Sequence, residues 1–469
     1  MAAPTFMEKR STKALVFPGD FWWGTATAAY QIEGGVAEDG RKPSIWDTFS
    51  KKAGVTKDGL NGDVACDHYH RFEEDVKLMA DLGVKHYRFS ISWSRLIPDG
   101  RGAINPKGVA FYRRLAEALA ASRITPHATL YHWDLPQALQ DRYAGWQSRE
   151  VTKDYADYAS AAAKMLGDVI THWITMNEIS CFAYGNGYGV GRPGFHAPGL
   201  ALDTKKERAQ IVHHALLAHG LGCQAIRAAS PVKCSVATAE NFTAYVPVIE
   251  TPEHIAAART AFAEEAPNAC ILMPLLTGRY TDKWLAAQGD QGPEIAAGDM
   301  KTIHQPLDAL GFNCYCGTYV RAAKNAAGYE LIRMFERFPK GNTSWLNIVP
   351  ESIYWGGRLV AEAAGQKSLP LFISENGCAD GAQANANNEV ADVDRIMYLR
   401  AYLSNVHRLV AEGYPMTGYF PWSFMDNFEW AEGYTQRFGL TRVDYATQER
   451  VPKFSFKWYQ QVIRSNQLV

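Results

Sequence analysis

Two glutamates stand beside amide side chains at the ends of apolar runs. Asn177-Glu178 closes the run Ile174-Thr175-Met176, and Glu375-Asn376 follows Phe372-Ile373-Ser374. A pair of carboxyl groups facing one another across a pocket is what cleavage of a glycosidic bond requires. One protonates the leaving oxygen, and the other attacks the anomeric carbon or activates water. A gap of about 5 Å between them favours double displacement with retention, and a wider gap favours inversion. Other segments carry side chains suited to the same pocket. They are Gln31-Ile32-Glu33, Arg88 within HYRFSISWSR, Tyr131-His132-Trp133-Asp134, Asn313-Cys314-Tyr315, and Trp422-Ser423 with Asn427-Phe428-Glu429-Trp430. Amide, imidazole, guanidinium, phenol and indole groups together suit a polyhydroxylated ring, which needs hydrogen bonds at its edge and a flat apolar surface under its face.

These segments recur at the ends of β-rich runs. Eight such runs are predicted: Phe21–Glu33, His86–Ser92, Thr125–His132, Thr171–Asn177, Cys234–Asn241, Leu310–Tyr315, Pro370–Ser374 and Met416–Trp422. Between them lie stretches with helical periodicity, such as residues 70–83 and 110–123. Phe72, Val76, Met79 and Ala80 share one face of the first, and Gly83 stands at the expected C-cap. Eight strand-then-helix units imply an α/β fold, a single (β/α)8 barrel with long βα loops, in which active groups sit at the C-terminal strand ends. The expected organisation is one catalytic domain over residues 1–469, with residues 1–15 as an N-terminal extension. The Gly- and Pro-rich stretch Asn186–Leu202 reads as a long loop.

Composition narrows the class further. Lys plus Arg number 48 and Asp plus Glu 49, for a net charge of -1. That balance excludes a strongly basic nucleic-acid binder and gives no reason to expect attraction to anionic membranes. No run of 18 apolar residues is present, and the first twenty residues lack the apolar core of a signal peptide. A cytoplasmic protein with reduced thiols is expected, a mature secreted form being the alternative; the eight cysteines include no C-x-x-C pair. Asp67-His68-Tyr69-His70 and His213-His214 lack metal-ligand spacing and are read as packing residues. The glycines of residues 185–191 lack the spacing of a phosphate loop. Catalysis is expected from side chains alone, without metal or organic cofactor, on a small-molecule substrate, with neither nucleic acid nor membrane as partner. Oligomeric state is left open.

The chain resembles glycoside hydrolase family 1. The resemblance rests on FPGDFWWGTATAAYQIEG, RFSISWSRLIP, LYHWDLPQAL, ITMNE, GYGVGRPGFHAPG, LGFNCY, ISENG and PWSFMDNFEWAEGY, in that order, and extends from about Phe17 to Tyr459. It implies a retaining β-glucosidase, with Glu178 as general acid/base and Glu375 as nucleophile. It also implies that Gln31, His132, Trp133, Asn177, Glu429 and Trp430 hold the glycone, with Trp422 stacked beneath it. Arg88, Asn313 and Tyr315 would surround Glu375, and Trp345 and Phe438 would face the aglycone. A cis peptide between Trp422 and Ser423 is a further implication. The expected substrates are cellobiose, short oligosaccharides and aryl or alkyl β-glucosides, with side activity on β-galactosides or β-fucosides and transglycosylation.

Electrostatics then assign the protons. Arg88 and Tyr315 should favour an ionised Glu375, whose charge should raise Glu178 and keep it protonated until Glu375 is esterified. One position departs from the family pattern: Ile179 occupies the place of the proline that usually follows the acid/base glutamate, restoring a backbone N–H. Glu178 is not Gln, which argues against the thioglucosidase branch. Glu429 argues against 6-phosphoglycosides, because a carboxylate there would repel phosphate. A non-catalytic sugar-binding barrel is the rival reading, and it would require the carboxylates to be lost or displaced.

Overall fold

A computed structural model describes residues 14–365 and 369–468. Eight parallel strands close into a barrel in chain order: β1 (Trp22–Ala26), β2 (His86–Ser90), β3 (Thr125–Tyr131), β4 (His172–Asn177), β5 (Ser235–Glu240), β6 (Ala309–Asn313), β7 (Leu371–Asn376) and β8 (Met416–Pro421). Each falls on one of the eight predicted runs. Eight principal helices alternate with them: α1 (His68–Leu82), α2 (Pro106–Ala121), α3 (Glu150–Leu166), α4 (Lys205–Ala229), α5 (Pro252–Glu264), α6 (Glu351–Ala363), α7 (Val393–Ala411) and α8 (Phe454–Ser465). The expected (β/α)8 architecture is therefore observed.

Local chemistry explains where the helices begin and end. Gly83 terminates α1 with φ at 93°, a conformation that a side chain would resist. Asn105 caps α2 through Oδ1, which accepts from the Lys107 N–H, and Pro106 occupies the first helical position, where no N–H is needed. Thr204 and Glu207 form a capping box at the start of α4. Among the described residues, no helix is long and apolar enough to cross a membrane.

Three expectations on element boundaries are corrected. The first strand is short. It ends at Ala26, and residues 29–32 turn into a helix, so Gln31 reaches the site from a helical turn. The reason is local: the Thr27 and Ala29 N–H groups bond to Arg88 O and Ser90 Oγ of β2, and the Ala-Ala-Tyr-Gln sequence favours helix over strand. The long loop after Glu178 is also more ordered than its glycines suggest. Tyr188–Val190 pairs in parallel with Leu200–Leu202 inside it. The expected N-terminal extension overlaps the fold, because Leu15 and Val16 pair antiparallel with Leu468 and Gln467. Residues 1–13 of that extension lie outside the described residues.

The barrel interior is layered. At the N-terminal end, Trp22 stacks on His86 at 5.2 Å between ring centroids, and His86 Nδ1 lies 3.0 Å from His127 Nε2. His172 packs on His127 at 4.6 Å, and Phe372 and Phe420 pack against these rings. Arg88 and the polar groups of the site lie toward the C-terminal ends. There the strand register slips at three places that matter: between Ile174 and Asn177 of β4, between Phe312 and Asn313 of β6, and between Ile373 and Asn376 of β7. Such bulges re-aim side chains. The slip in β6 sets Asn313 directly opposite Glu375.

The chain just beyond β7 is held against Trp422 without slack. A Cβ on Gly377 would lie 2.0 Å from the Trp422 carbonyl oxygen, which is backbone and has little freedom to move. Gly377→Ala is expected to destabilise the fold by about 1–3 kcal/mol. Denaturant unfolding at neutral pH measures this, and a midpoint equal to wild type would contradict so close an approach.

Candidate active site

Glu178 is the first residue after β4 and Glu375 the penultimate residue of β7. Both are nearly fully buried, and both face a cavity of about 400 Å³ at the C-terminal end of the barrel. His132, Trp133, Asn177, Tyr315, Trp345, Trp422, Glu429, Trp430 and Phe438 line the same cavity. Gln31, Arg88 and Asn313 are bonded to residues of this lining: Gln31 to Glu429, Arg88 to Asn177 and Glu375, and Asn313 to Asn177 and Glu178. The structure thus brings together every site residue expected from the sequence, either at the wall or bonded to it.

The two carboxyl groups have unlike partners. Glu375 accepts from the Arg88 guanidinium at 2.6 Å through Oε1 and from the Tyr315 hydroxyl at 2.8 Å through Oε2. Glu178 accepts a neutral amide, the Asn313 Nδ2 at 2.7 Å. Asn313 is itself fixed by Ser374, whose hydroxyl donates to Asn313 Oδ1 at 2.7 Å. The guanidinium that holds Glu375 also donates to Asn177 Oδ1 at 2.6 Å, and Asn177 Nδ2 lies 3.2 Å from His132 Nε2. One charged node therefore orients the residue preceding Glu178 as well as Glu375.

Protonation follows from burial and partners. Burial, and after it the neighbouring Glu375 charge, push Glu178 up to about 7 against the bonds from Asn313 and Cys181 and the Arg88 charge. Burial raises Glu375 too, which corrects the simple expectation that its donors leave it low. The Arg88 charge and the bonds from Arg88, Tyr315 and Asn313 oppose that rise. With a cation bonded to one carboxyl and only neutral donors to the other, the shared proton resides on Glu178. Glu429 is pushed up to about 8 by burial and by the charges of Glu375 and Glu178. His132 is held well below the ordinary imidazole range by burial and by Arg88, so it presents a neutral ring.

The wall combines flat aromatic surfaces with polar atoms that have no protein partner. Trp422 lies almost parallel to His132, at 5.7 Å and 14°. Trp430 stacks on Tyr30 at 6.2 Å and 6° and packs against Trp133 at 4.7 Å. The peptide between Trp422 and Ser423 is cis, as the resemblance implies. Gln31 Nε2 donates to the Phe428 carbonyl at 2.9 Å and to Asn427 Oδ1 at 3.0 Å, leaving its buried Oε1 unpaired. His132 Nδ1 is likewise buried and unpaired. Buried polar atoms normally have partners, so unpaired ones beside a cavity are sites where a ligand hydroxyl can bond. Trp345 is half exposed at the rim and meets Tyr315 edge-on at 5.7 Å.

Sequence reasoning missed the contribution of β5. Glu240 ends that strand, fully buried, and Asn241 lines the cavity. The rule that active groups gather at strand ends points to both, but β5 was the one strand whose end was not read this way. Cys181, Phe195 and His196 of the loop after β4 also line the cavity. Cys181 carries no local mark; Phe195 and His196 fall within GYGVGRPGFHAPG, but a long loop brings them to the cavity. The histidines set aside as packing residues are paired within the protein. His68 Nδ1 lies 2.8 Å from Asp75, and His213 lies between the Tyr280 hydroxyl and Asp299.

Comparison with known proteins agrees with this geometry. The sequence model described as glycosyl hydrolase family 1 matches residues 13–468. Beta-glucosidase A of Acetivibrio thermocellus is 40% identical over 458 residues, covering 96% of this chain and 99% of the relative. A bifunctional beta-D-glucosidase/beta-D-fucosidase of Bifidobacterium breve is 42% identical, with 96% and 98% covered. Among solved structures, the family 1 β-glucosidase of Thermotoga maritima superimposes with a TM-score of 0.86 at 39% identity, covering 97% of this chain and all of the other. The protein is a glycoside hydrolase with a (β/α)8 barrel, and it belongs to glycosyl hydrolase family 1.

Proposed function

We propose that the protein is a β-glucosidase that removes terminal non-reducing β-D-glucosyl residues from cellobiose, short oligosaccharides and aryl or alkyl β-glucosides. The observation that carries this reading is the asymmetry of the two carboxyl groups in one cavity. Glu375 is bonded to a cation and a phenol, and Glu178 to neutral donors alone, the Asn313 amide and the Cys181 thiol.

Each step follows from that asymmetry. The Glu375 carboxylate attacks the anomeric carbon while the Glu178 proton passes to the glycosidic oxygen, and the aglycone leaves as an alcohol. Esterification removes the charge that had raised Glu178, so its proton affinity falls. Glu178, now a carboxylate, takes a proton from the incoming water. The hydroxide oxygen bonds to the anomeric carbon, the ester bond breaks, and both carboxyl groups return to their first state. Gln31, His132, Trp133, Asn177, Glu429 and Trp430 bond the glucosyl hydroxyls, and Trp422 lies under the ring. Asn313 and Tyr315 keep the two carboxyl groups aimed, and Trp345 and Phe438 receive the aglycone. The name of the Bifidobacterium breve relative supports a secondary activity on β-fucosides, and β-galactosides differ from glucosides at one hydroxyl. An alcohol or sugar acceptor in place of water would give transglycosylation through the same ester.

Nucleophile and acid/base are told apart by azide. Glu375→Ala should abolish turnover of nitrophenyl β-glucoside, and azide should restore it with an α-glucosyl azide product. Glu178→Ala should lose about 10²–10⁴-fold with poor leaving groups and give the β-glucosyl azide, because azide then attacks the glucosyl ester from the opposite face. The reverse pairing of products would overturn the assignment. The wild-type pH profile should be bell-shaped. In it, kcat/KM falls as pH rises through about 7, where Glu178 loses its proton. A flat profile from pH 5 to 9, with chemistry rate-limiting, would contradict that role. Because folding raises the Glu178 pKa, stability due to its proton is present below about 4.5 and lost as pH climbs through about 7. Glu178→Gln should therefore melt about 2 °C or more above wild type at pH 9 and level with it at pH 4, as differential scanning calorimetry can read.

A further inference from the structure

Glu240 is a buried carboxyl group that the mechanism does not use. It ends β5 at 1% exposure. Its Oε2 accepts from the backbone N–H of Ile179 at 2.9 Å, and its Oε1 accepts from the Thr238 hydroxyl at 3.0 Å. Ile179 is the residue after Glu178, at the position where the family usually carries a proline with no N–H to give. The preceding N–H, that of Glu178, donates to Ala239 O at 2.8 Å. Two successive N–H groups at the end of β4 are thus tied to two successive residues of β5. Between these ties Glu178 has φ at 51°, a region that non-glycine residues rarely occupy unless something holds them there.

We propose that Glu240 is a positioning residue for Glu178: by taking the Ile179 N–H it pins the backbone just after the acid/base carboxyl, fixing with a hydrogen bond the φ of residue 179 that a proline ring would fix covalently. The backbone fits this exchange. Ile179 has φ at -51° and ψ at -34°, close to the φ that a proline ring imposes. Burial pushes Glu240 up to about 8, so near neutrality it is an uncharged acceptor and adds no further negative charge beside Glu178 and Glu375. Ile179 is itself fully buried, so without Glu240 its N–H would be left unpaired and away from water.

The proposal rests on Glu178 being the general acid, and the test separates the two ideas. A phenyl β-glucoside needs a proton donor for its leaving group, whereas a 2,4-dinitrophenyl β-glucoside does not. Glu240→Leu should lose about 10²-fold in kcat/KM on the phenyl substrate and less than about 3-fold on the dinitrophenyl substrate, the size of a minor rearrangement. Glu240→Gln keeps a carbonyl acceptor for the Ile179 N–H and should behave as wild type on both. Glu240→Leu/Ile179→Pro removes the orphaned N–H, restores the restraint, and should recover at least about tenfold on the phenyl substrate over Glu240→Leu. Equal losses on both substrates, Gln as damaging as Leu, or no recovery in the double variant would each overturn the proposal. If Glu240→Leu does not fold, the double variant decides alone: a phenyl to dinitrophenyl ratio near wild type supports the proposal, and a ratio like that of Glu178→Ala overturns it. Should Glu178→Ala itself show no preference for the activated substrate, the acid/base reading fails first, whatever Glu240 does.

Discussion

The site hangs on one buried cation. Arg88 is shut away from solvent inside the barrel, and each arm of its guanidinium has an acceptor. Nε donates to Thr129 of β3, Nη1 to Ser374 O and Glu375 Oε1 of β7, and Nη2 to Asn177 Oδ1 of β4. A guanidinium without partners could not stay there, and breaking such a buried pair typically costs about 3–5 kcal/mol. The arrangement is therefore self-consistent only with all three neighbouring strands in register. A planar fork suits this task as an ammonium would not, because its donors point in fixed directions. From this node the difference between the two carboxyl groups follows, and with it the direction in which a proton can move.

Around the node, precision comes from small irregularities of the sheet. Without the slip between Phe312 and Asn313, strict alternation would set a different residue opposite Glu375. Asn313 then spans the site, bonded to Glu178, Asn177 and Ser374 at once. The indoles of Trp133, Trp422 and Trp430 line the cavity and keep the local dielectric low, which strengthens each of these bonds.

Much of this was legible in the residues, and what was not has a physical cause. The eight strands showed as apolar runs because parallel strands are buried on both faces. The paired carboxyl groups showed because each closes a β-rich run within an ordered set of motifs; a lone glutamate at a strand end would have pointed to nothing. Gln31 was expected on the first strand and stands on a helical turn, since a five-residue strand followed by one helical turn looks like one long apolar run. Glu240 escaped notice because its partner is a backbone N–H, and backbone donors have no sequence signature. Phe195 and His196 are brought in by the paired loop segments of residues 188–190 and 200–202, an approach set by tertiary packing alone.

The imidazole floor at the opposite end of the barrel gives the molecule a second response to acid. Burial holds His127 well below the ordinary imidazole range and His86 down to about 4, so both enter the fold uncharged. Their contribution to stability is whole above about 6.5, where the unfolded chain is also neutral, and drains away as pH drops toward about 4. Mild acid thus acts on this protein at two places about a barrel's length apart. At the mouth, protonation takes away the carboxylate charge that Arg88 and Tyr315 hold on Glu375. At the floor, it loosens the stave ends themselves and lowers the stability of the fold. Shelf life in acid and working range in acid are consequently separate properties, written into different ends of the same eight strands.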